Sequence, residues 1–161
     1  MNPTTTVRDE LLKQLRVSHS HVSIWHLLDG IPWDRAGEEV PGFDREDHTI
    51  WTLLVHIRIC MDDIIDYVEN PAYVHPDFPG GLWPAEHAPA DAATWQGEID
   101  RLKKSYAAVE EWIQNRDLMT PFNKAGHTLL RQILIIIRHN SYHTAQIFDA
   151  AQAIGLRLRD Y

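Results

Sequence analysis

The sequence contains one cysteine, an excess of acidic over basic residues, and no apolar run long enough to span a membrane. The single cysteine, Cys60, excludes an internal disulfide and fits a reducing compartment. Fifteen Lys and Arg against 23 Asp and Glu give a net charge of −8, which disfavours nucleic-acid and anionic membrane partners. The N-terminal stretch MNPTTTVRDE lacks the apolar core of a signal peptide. We therefore expect a cytoplasmic protein without nucleic-acid or membrane partners.

The motifs of several common enzyme classes are also missing. There is no glycine-rich phosphate loop and no Gly-x-Ser-x-Gly nucleophile turn. Asn140 follows His139, so the His-Glu-x-x-His zinc motif and its general-base glutamate are absent. The residue type that is abundant is histidine, with ten in 161 residues.

Four amphipathic segments, with apolar residues at three- and four-residue steps, predict helices and leave no strand-like alternation. They cover approximately residues 5–29, 47–70, 95–113 and 126–155. Asp91 is the expected N-cap of the third segment, and Gly155 is the expected residue after the C-terminus of the fourth. The length fits a single domain over residues 1–161. Four long helices in that length predict an all-α fold, a four-helix bundle.

Two connections are long enough to influence the topology. Residues 30–46 are rich in glycine, proline and acids, which predicts an exposed connection. Residues 71–90 contain five prolines and three aromatic residues, and they are longer than an antiparallel hairpin needs. We therefore expect this loop to cross the bundle and leave the second and third helices parallel, in an up-down-down-up order. Tyr73 and Trp83 are expected to anchor the loop, with a lid over a site as the alternative.

The fourth segment carries His139 and His143, four residues apart on one helical face. Side chains at i and i+4 lie about 6 Å apart, so two ring nitrogens can converge on one ion. The spacing alone is weak evidence, since ten histidines nearly supply one such pair by chance. Both residues also lie on the apolar stripe that faces the core, where imidazoles need partners. His56 lies on the inward stripe of the second segment, so a third ligand is available.

Three neutral imidazoles bind Zn²⁺, Ni²⁺ or Fe²⁺ and leave coordination positions for water or substrate. Cys60, four residues after His56, could supply a thiolate ligand or a nucleophile, or it could be a small buried hydrophobe. Asp63 could be a base that lines the pocket, or a solvated acid near the end of the helix. Because three imidazoles leave coordination positions open, the three histidines favour a catalytic metal site over a closed structural one.

Further polar residues are candidates for the surroundings of the ion. Gln132 and Asn140 could accept the second N–H of a ligand imidazole. His19 and His26, one heptad apart, could line the same pocket, or each could be a half-buried histidine bonded to a backbone carbonyl. These four residues complete the set of candidate site residues.

The residues around the three histidines resemble the DinB-like metal-protein superfamily, which is unrelated to the DNA polymerase of similar name. The resemblance rests on His56 within Leu53–Ile57, on Arg138-His139-Asn140-Ser141-Tyr142-His143-Thr144-Ala145-Gln146, and on the shorter matches His48–Trp51, Asn70–Tyr73, Gly81–Pro84 and Gly126–Gln132. It implies a four-helix bundle with a crossover after the second helix and one divalent ion held by His56, His139 and His143. The chain departs from the family pattern at Arg138, where many members have Asp, and at Ala145, where many have Gly.

The resemblance also implies a range of functions. Characterised members include transferases and isomerases that depend on low-molecular-weight thiols, and many others are regarded as metal-dependent hydrolases. We expect zinc or nickel, with iron or manganese also compatible, a small-molecule substrate and a low-molecular-weight thiol as co-substrate. Thiol-dependent S-transfer is favoured over hydrolysis, and a non-catalytic bundle with a structural metal is the third interpretation. The broad apolar surface of the second segment is compatible with a homodimer.

Overall fold

The computed structural model describes residues 3–16, 21–42 and 48–158, and the regular structure within them is entirely helical. The α-helices are α1 (Pro3–Arg16), α2 (Ile24–Gly30), α3 (Ile50–Glu69), α4 (Ala92–Asn115) and α5 (Leu129–Ala153). Two short 3-10 helices cover Trp33–Arg35 and Gly80–Leu82. The predicted all-α class is therefore confirmed for the described part of the chain. None of the described helices combines the length and apolarity needed to cross a membrane.

The prediction of one helix over residues 5–29 is wrong, because this segment forms two helices. α1 ends at Arg16, and α2 begins at Ile24 after Ser23, whose backbone is extended. The Ser23 side chain accepts a hydrogen bond from the Trp25 amide and so caps a new helix. Apolar periodicity continued through the break because Leu15 and Val22 are both buried in the same core. Periodicity reports which side of the chain faces the core, and it does not report helix continuity.

The expectation that residues 30–46 form an exposed connection is wrong for three apolar residues of its described part, 30–42. Ile31, Ala36 and Val40 are buried, whereas Trp33 is exposed. The Ala36 carbonyl also accepts a hydrogen bond of 2.8 Å from the Trp51 amide in the first turn of α3. Glycine, proline and acids dominate the composition, but the three buried residues pack into the core.

The ends of the three long helices follow local sequence signals. Side-chain oxygens of Thr49, Asp91 and Thr128 cap the first turns of α3, α4 and α5. Gly155 follows α5 with a φ of +80°, a conformation that glycine adopts without strain. The predictions for Asp91 and Gly155 are thus confirmed.

Side-chain contacts show how α3 lies relative to α4 and α5. Between α3 and α4 the paired residues ascend together: Arg58 with Glu98, Asp62 with Ser105 and Glu69 with Trp112. These two helices therefore run in the same direction. Between α3 and the α5 region the order is reversed: Tyr67 contacts His127, whereas His56 contacts His139. α3 and α5 are therefore antiparallel.

Residues 71–90, which we call the strap, return along one face of α3. The strap makes three hydrogen bonds with that face: the Tyr73 hydroxyl donates to Asp63 (2.8 Å), His56 Nδ1 donates to the Leu82 carbonyl (2.7 Å), and the Thr49 hydroxyl donates to the His87 carbonyl (2.8 Å). The three partners are Thr49 at the N-cap of α3 and His56 and Asp63 within it, each seven residues after the one before. This spacing places them on the same side of the helix. The strap therefore covers the face of α3 that carries His56.

Candidate metal centre

His56 from α3 and His139 and His143 from α5 come together in the structure. One ring nitrogen from each lies within 4.8 Å of the others. The Nε2 atoms of His56 and His139 are 3.2 Å apart. Among the described residues, this is the group of His, Cys, Asp and Glu side chains that could hold a metal ion.

The spacing of the nitrogens fits a metal ion. A tetrahedral ion with metal–nitrogen distances of about 2.0–2.1 Å separates its ligand nitrogens by about 3.3 Å. The observed separation of 3.2 Å between two Nε2 atoms is close to that value. Imidazole nitrogens suit zinc, nickel, iron and copper alike, so the ligand types leave the metal open. The residues present therefore fit a divalent ion.

The second ring nitrogens of two of these histidines are held by acceptors. His56 Nδ1 donates to the Leu82 carbonyl at 2.7 Å, and His143 Nδ1 donates to Gln146 Oε1 at 2.6 Å. Since each Nδ1 carries the proton, each Nε2 retains its lone pair. Metal-ligating histidines are typically held in this way, with the other nitrogen bonded to a carbonyl or carboxylate that fixes the tautomer and ring orientation.

Replacing Gln146 with Leu is expected to weaken binding of Zn²⁺ or Ni²⁺ by about 10–100-fold, because the acceptor that orients His143 is lost. Competition with a chromophoric chelator measures the change. Gln152→Leu is the matched control, since Gln152 is exposed on the same helix. Equal affinities of the two variants would show that Gln146 does not orient the ligand.

Burial keeps the three imidazoles neutral. It is the main cause of the lowered pKa of His56, His139 and His143. For His143, the neighbouring His139 and His56 add to burial and bring the pKa to about 4. All three rings are therefore unprotonated at neutral pH, the state in which a histidine binds a metal.

The two amide residues expected around the ion are both buried. Asn140 donates from Nδ2 to the Tyr106 hydroxyl at 3.0 Å, and within the described residues its Oδ1 has no hydrogen-bond partner of normal geometry. The Asn140 side chain still lies close enough to His139 to raise the pKa of that ring, against the larger lowering by burial. The Nε2 of Gln132 also finds no hydrogen-bond partner in the part of the chain that the structure describes. Their role as acceptors for a ligand histidine stays a prediction.

Trp83 of the strap stacks directly on His56. The two ring centroids are 3.9 Å apart, and the planes are within 6° of parallel. The His48 ring also lies near Trp83, with the two ring centroids 5.5 Å apart. The stacked indole and the neighbouring Leu82 carbonyl together hold the His56 ring in one orientation.

Cys60 and Asp63 lie beside the site without joining the histidine group. The sulfur of Cys60 is 3.6 Å from His56 Nδ1 and 3.7 Å from Nε2. Burial, with a smaller contribution from Asp63, raises the pKa of the Cys60 thiol to about 12. The thiol is therefore protonated at neutral pH, which favours the interpretation of a small hydrophobe over that of a nucleophile. Asp63 accepts a hydrogen bond from the Tyr73 hydroxyl.

Of the other two candidate histidines, His26 does not join this group. His26 is exposed on α2 and lines a separate cavity of about 640 Å³, bordered by Trp33, Trp95 and Lys103. His19 lies outside the described residues. The prediction of a common inward stripe for the pair depended on one continuous helix, and the break before α2 removes that basis for His26.

Comparisons with known proteins do not assign the chain to a family. No family model, curated protein or solved structure matches it. The likeness to the DinB-like superfamily therefore rests on the residues quoted above, and the candidate metal centre rests on its own geometry.

Proposed function

We propose that the chain is a DinB-like metal protein that binds one divalent ion through His56, His139 and His143. The observation that carries this proposal is the approach of the imidazole nitrogens to one another while acceptors hold the opposite nitrogens of two rings. Zinc and nickel are proposed first and iron next, because imidazole nitrogens suit all three, and manganese is the remaining alternative. The substrate is proposed to be a small molecule.

The fold proposed with it is an up-down-down-up four-helix bundle of α1, α3, α4 and α5. The contacts of α3 with α4 and α5 support this order. Two contacts indicate that α1 is antiparallel to α4: Arg8 donates to the Arg116 carbonyl at 2.8 Å, and Arg16 pairs with Glu110 at 2.8 Å. In this topology the strap is the crossover between the two parallel helices.

The neighbourhood of the histidines supports an external nucleophile. When bound, a divalent ion supplies Lewis acidity that lowers the pKa of a coordinated water or thiol. The three ligand residues are neutral and so leave the positive charge of the site uncompensated. Burial raises the pKa of the chain's own thiol, Cys60, which supports an external nucleophile over this residue.

A thiol is the proposed nucleophile ahead of water. Among the described residues, no carboxylate belongs to the histidine group, and Asp63 is engaged by Tyr73. Within the described residues, the histidine group therefore holds no carboxylate of its own that could take a proton from water. A free thiol has a pKa of about 8.5 and water one of about 15.7, so a thiol needs much less assistance to ionise. We propose S-transfer between a low-molecular-weight thiol and a small electrophile.

The test is metal-dependent consumption of a thiol. Protein loaded with Zn²⁺ or Ni²⁺ is mixed with glutathione or cysteine and 1-chloro-2,4-dinitrobenzene, and thioether formation is followed by absorbance. We expect turnover that is lost on chelation and in His139→Ala. Thiol-independent cleavage of an ester or amide would favour the hydrolase instead. A bound ion whose removal lowers the melting temperature, with neither activity present, would favour a structural metal.

A further inference from the structure

A cavity of about 360 Å³ lies at the C-terminal end of α3, apart from the histidine centre. Its walls include Tyr67, Tyr73 and Phe122. Tyr67 follows His56 by 11 residues, which corresponds to about 16 Å along the helix axis. The cavity is therefore separate from the metal centre, and nothing proposed above uses it.

In the group of three aromatic residues, which we call the aromatic cage, Tyr73 and Phe122 both stand at steep angles to Tyr67. The centroid of the Tyr73 ring is 5.1 Å from that of Tyr67, and the two planes are inclined at 71°. The centroid of the Phe122 ring is 5.6 Å from that of Tyr67, and these planes are inclined at 77°. Both tyrosine hydroxyls are held by hydrogen bonds: Tyr73 donates to Asp63, and Tyr67 contacts Asn123 and His127. The rings are thus fixed as walls of the cavity.

The end of α3 beside the cage is strongly acidic. Its last two turns contain Asp62, Asp63, Asp66 and Glu69, and the last turn has no basic residue. A helix C-terminus carries partial negative charge, so acidic residues there are unfavourable unless a cation is near. This end of the helix would therefore gain stability from a bound cation.

Two of these four carboxylates are already paired with arginines. Asp62 pairs with Arg58, and Glu69 pairs with Arg116.

The remaining carboxylates, Asp63 and Asp66, have neutral partners in the described part of the chain. Asp63 accepts from the Tyr73 hydroxyl, and Asp66 accepts from the Asn70 amide at 3.4 Å. Burial first, and then both carboxylates, raise the pKa of Tyr73, which places their negative charge next to this wall of the cage.

We propose that the aromatic cage binds a small organic ammonium ion, in particular one with a methylated nitrogen. Aromatic faces attract cations through the ring quadrupole, and each such contact contributes about 0.5–2 kcal/mol depending on its exposure. The nearby Asp63 and Asp66 supply the negative charge that selects a cation over a neutral molecule of equal shape. Three aromatic walls favour a large, diffuse cation. The cavity also contains the oxygen-bearing side chains of Glu69, Asn70 and Asn123, so an inorganic cation is the competitor that the test must exclude.

Choline and its neutral isostere 3,3-dimethylbutan-1-ol test the proposal on the full chain, because they differ in charge and hardly in shape. We expect choline to bind at least about 10-fold more tightly in calorimetric titration, a difference of about 1.4 kcal/mol. Binding should also shift the indole N–H resonance of Trp112, whose Nε1 donates to Glu69 beside the cavity at 2.7 Å. Equal affinities, or no binding of choline, would overturn the proposal.

Variants locate the site. Phe122→Leu removes one wall, Asp63→Asn removes one charge, and each is expected to weaken choline binding by about 5-fold or more. Asp100→Asn changes the net charge equally on an exposed part of α4 and should leave the affinity unchanged. Equal weakening by Asp63→Asn and Asp100→Asn, or displacement of choline by millimolar Ca²⁺, would overturn the cage. His143→Ala should bind choline normally, so this proposal and the metal proposal can fail separately.

Discussion

Replacing His143 with alanine is expected to lower the affinity for Zn²⁺ or Ni²⁺ by more than about 100-fold, because the residues that merely orient a ligand already contribute 10–100-fold. The variant removes one of three converging imidazoles and leaves His56 and His139. Competition with a chromophoric chelator measures the affinity, and elemental analysis of untagged protein measures the stoichiometry. Wild-type protein is expected to hold about one ion per chain at saturation.

The matched control is His75→Ala. His75 lies exposed in the strap, and among the interactions described it contacts only the Pro76 carbonyl and the Tyr73 ring. The variant therefore removes the same chemical group, an imidazole, at a position away from the metal site. His56→Ala provides an independent ligand deletion on the other helix. Near-stoichiometric metal in both His56→Ala and His143→Ala would rule out the three-histidine site.

Glu98→Gln is expected to lower the free energy of unfolding by about 2–3 kcal/mol, independently of any metal. The Glu98 side chain is 2% exposed and accepts hydrogen bonds from Arg58 Nε at 2.7 Å and from Arg101 at 3.1 Å. Neutralising it removes the main counter-charge of a guanidinium that is itself only 20% exposed. The loss is smaller than for a fully enclosed pair, since Arg58 keeps Asp62 as a partner.

Urea unfolding followed by circular dichroism measures this effect. Asp100→Asn is the control on the same helix, since Asp100 is exposed and, among the described residues, forms its ion pair with exposed Lys103. We expect that control to stay within about 0.5 kcal/mol of wild type. A Glu98→Gln variant as stable as Asp100→Asn would show that the buried ion pair contributes little.

The helices α3, α4 and α5 could be predicted because the information for them is local. Each has a capping side chain and an apolar stripe, and the predicted stripe of α4 is buried throughout: Trp95, Ile99, Leu102, Tyr106, Val109 and Ile113. The break before α2 also has a capping side chain, Ser23, but the apolar stripe continues across the break and so predicted one helix. Glu98 shows a second limit, since a carboxylate is buried only where a partner such as Arg58 meets it, and that partner lies 40 residues away in the chain.

The approach of the three histidines was predictable because His139 and His143 share one face of a helix and all three lie on inward stripes. The atoms that orient their rings differ in how far the sequence could have identified them. Gln146 is three residues after His143 on the same helix, so helical spacing could have identified it. The Leu82 carbonyl is a backbone atom with no residue signature, and its position depends on the path of the strap.

That path has a thermodynamic consequence. Because α3 and α4 run in the same direction, the chain must travel back along α3 before α4 begins, and Leu82 reaches His56 on the way. Local opening of the strap would release the His56 ring. If an ion binds the held ring more tightly than the released one, that difference in binding free energy is added to the free energy of opening the strap. Hydrogen exchange of the slowest-exchanging amides of the strap would then report how tightly the ion is bound.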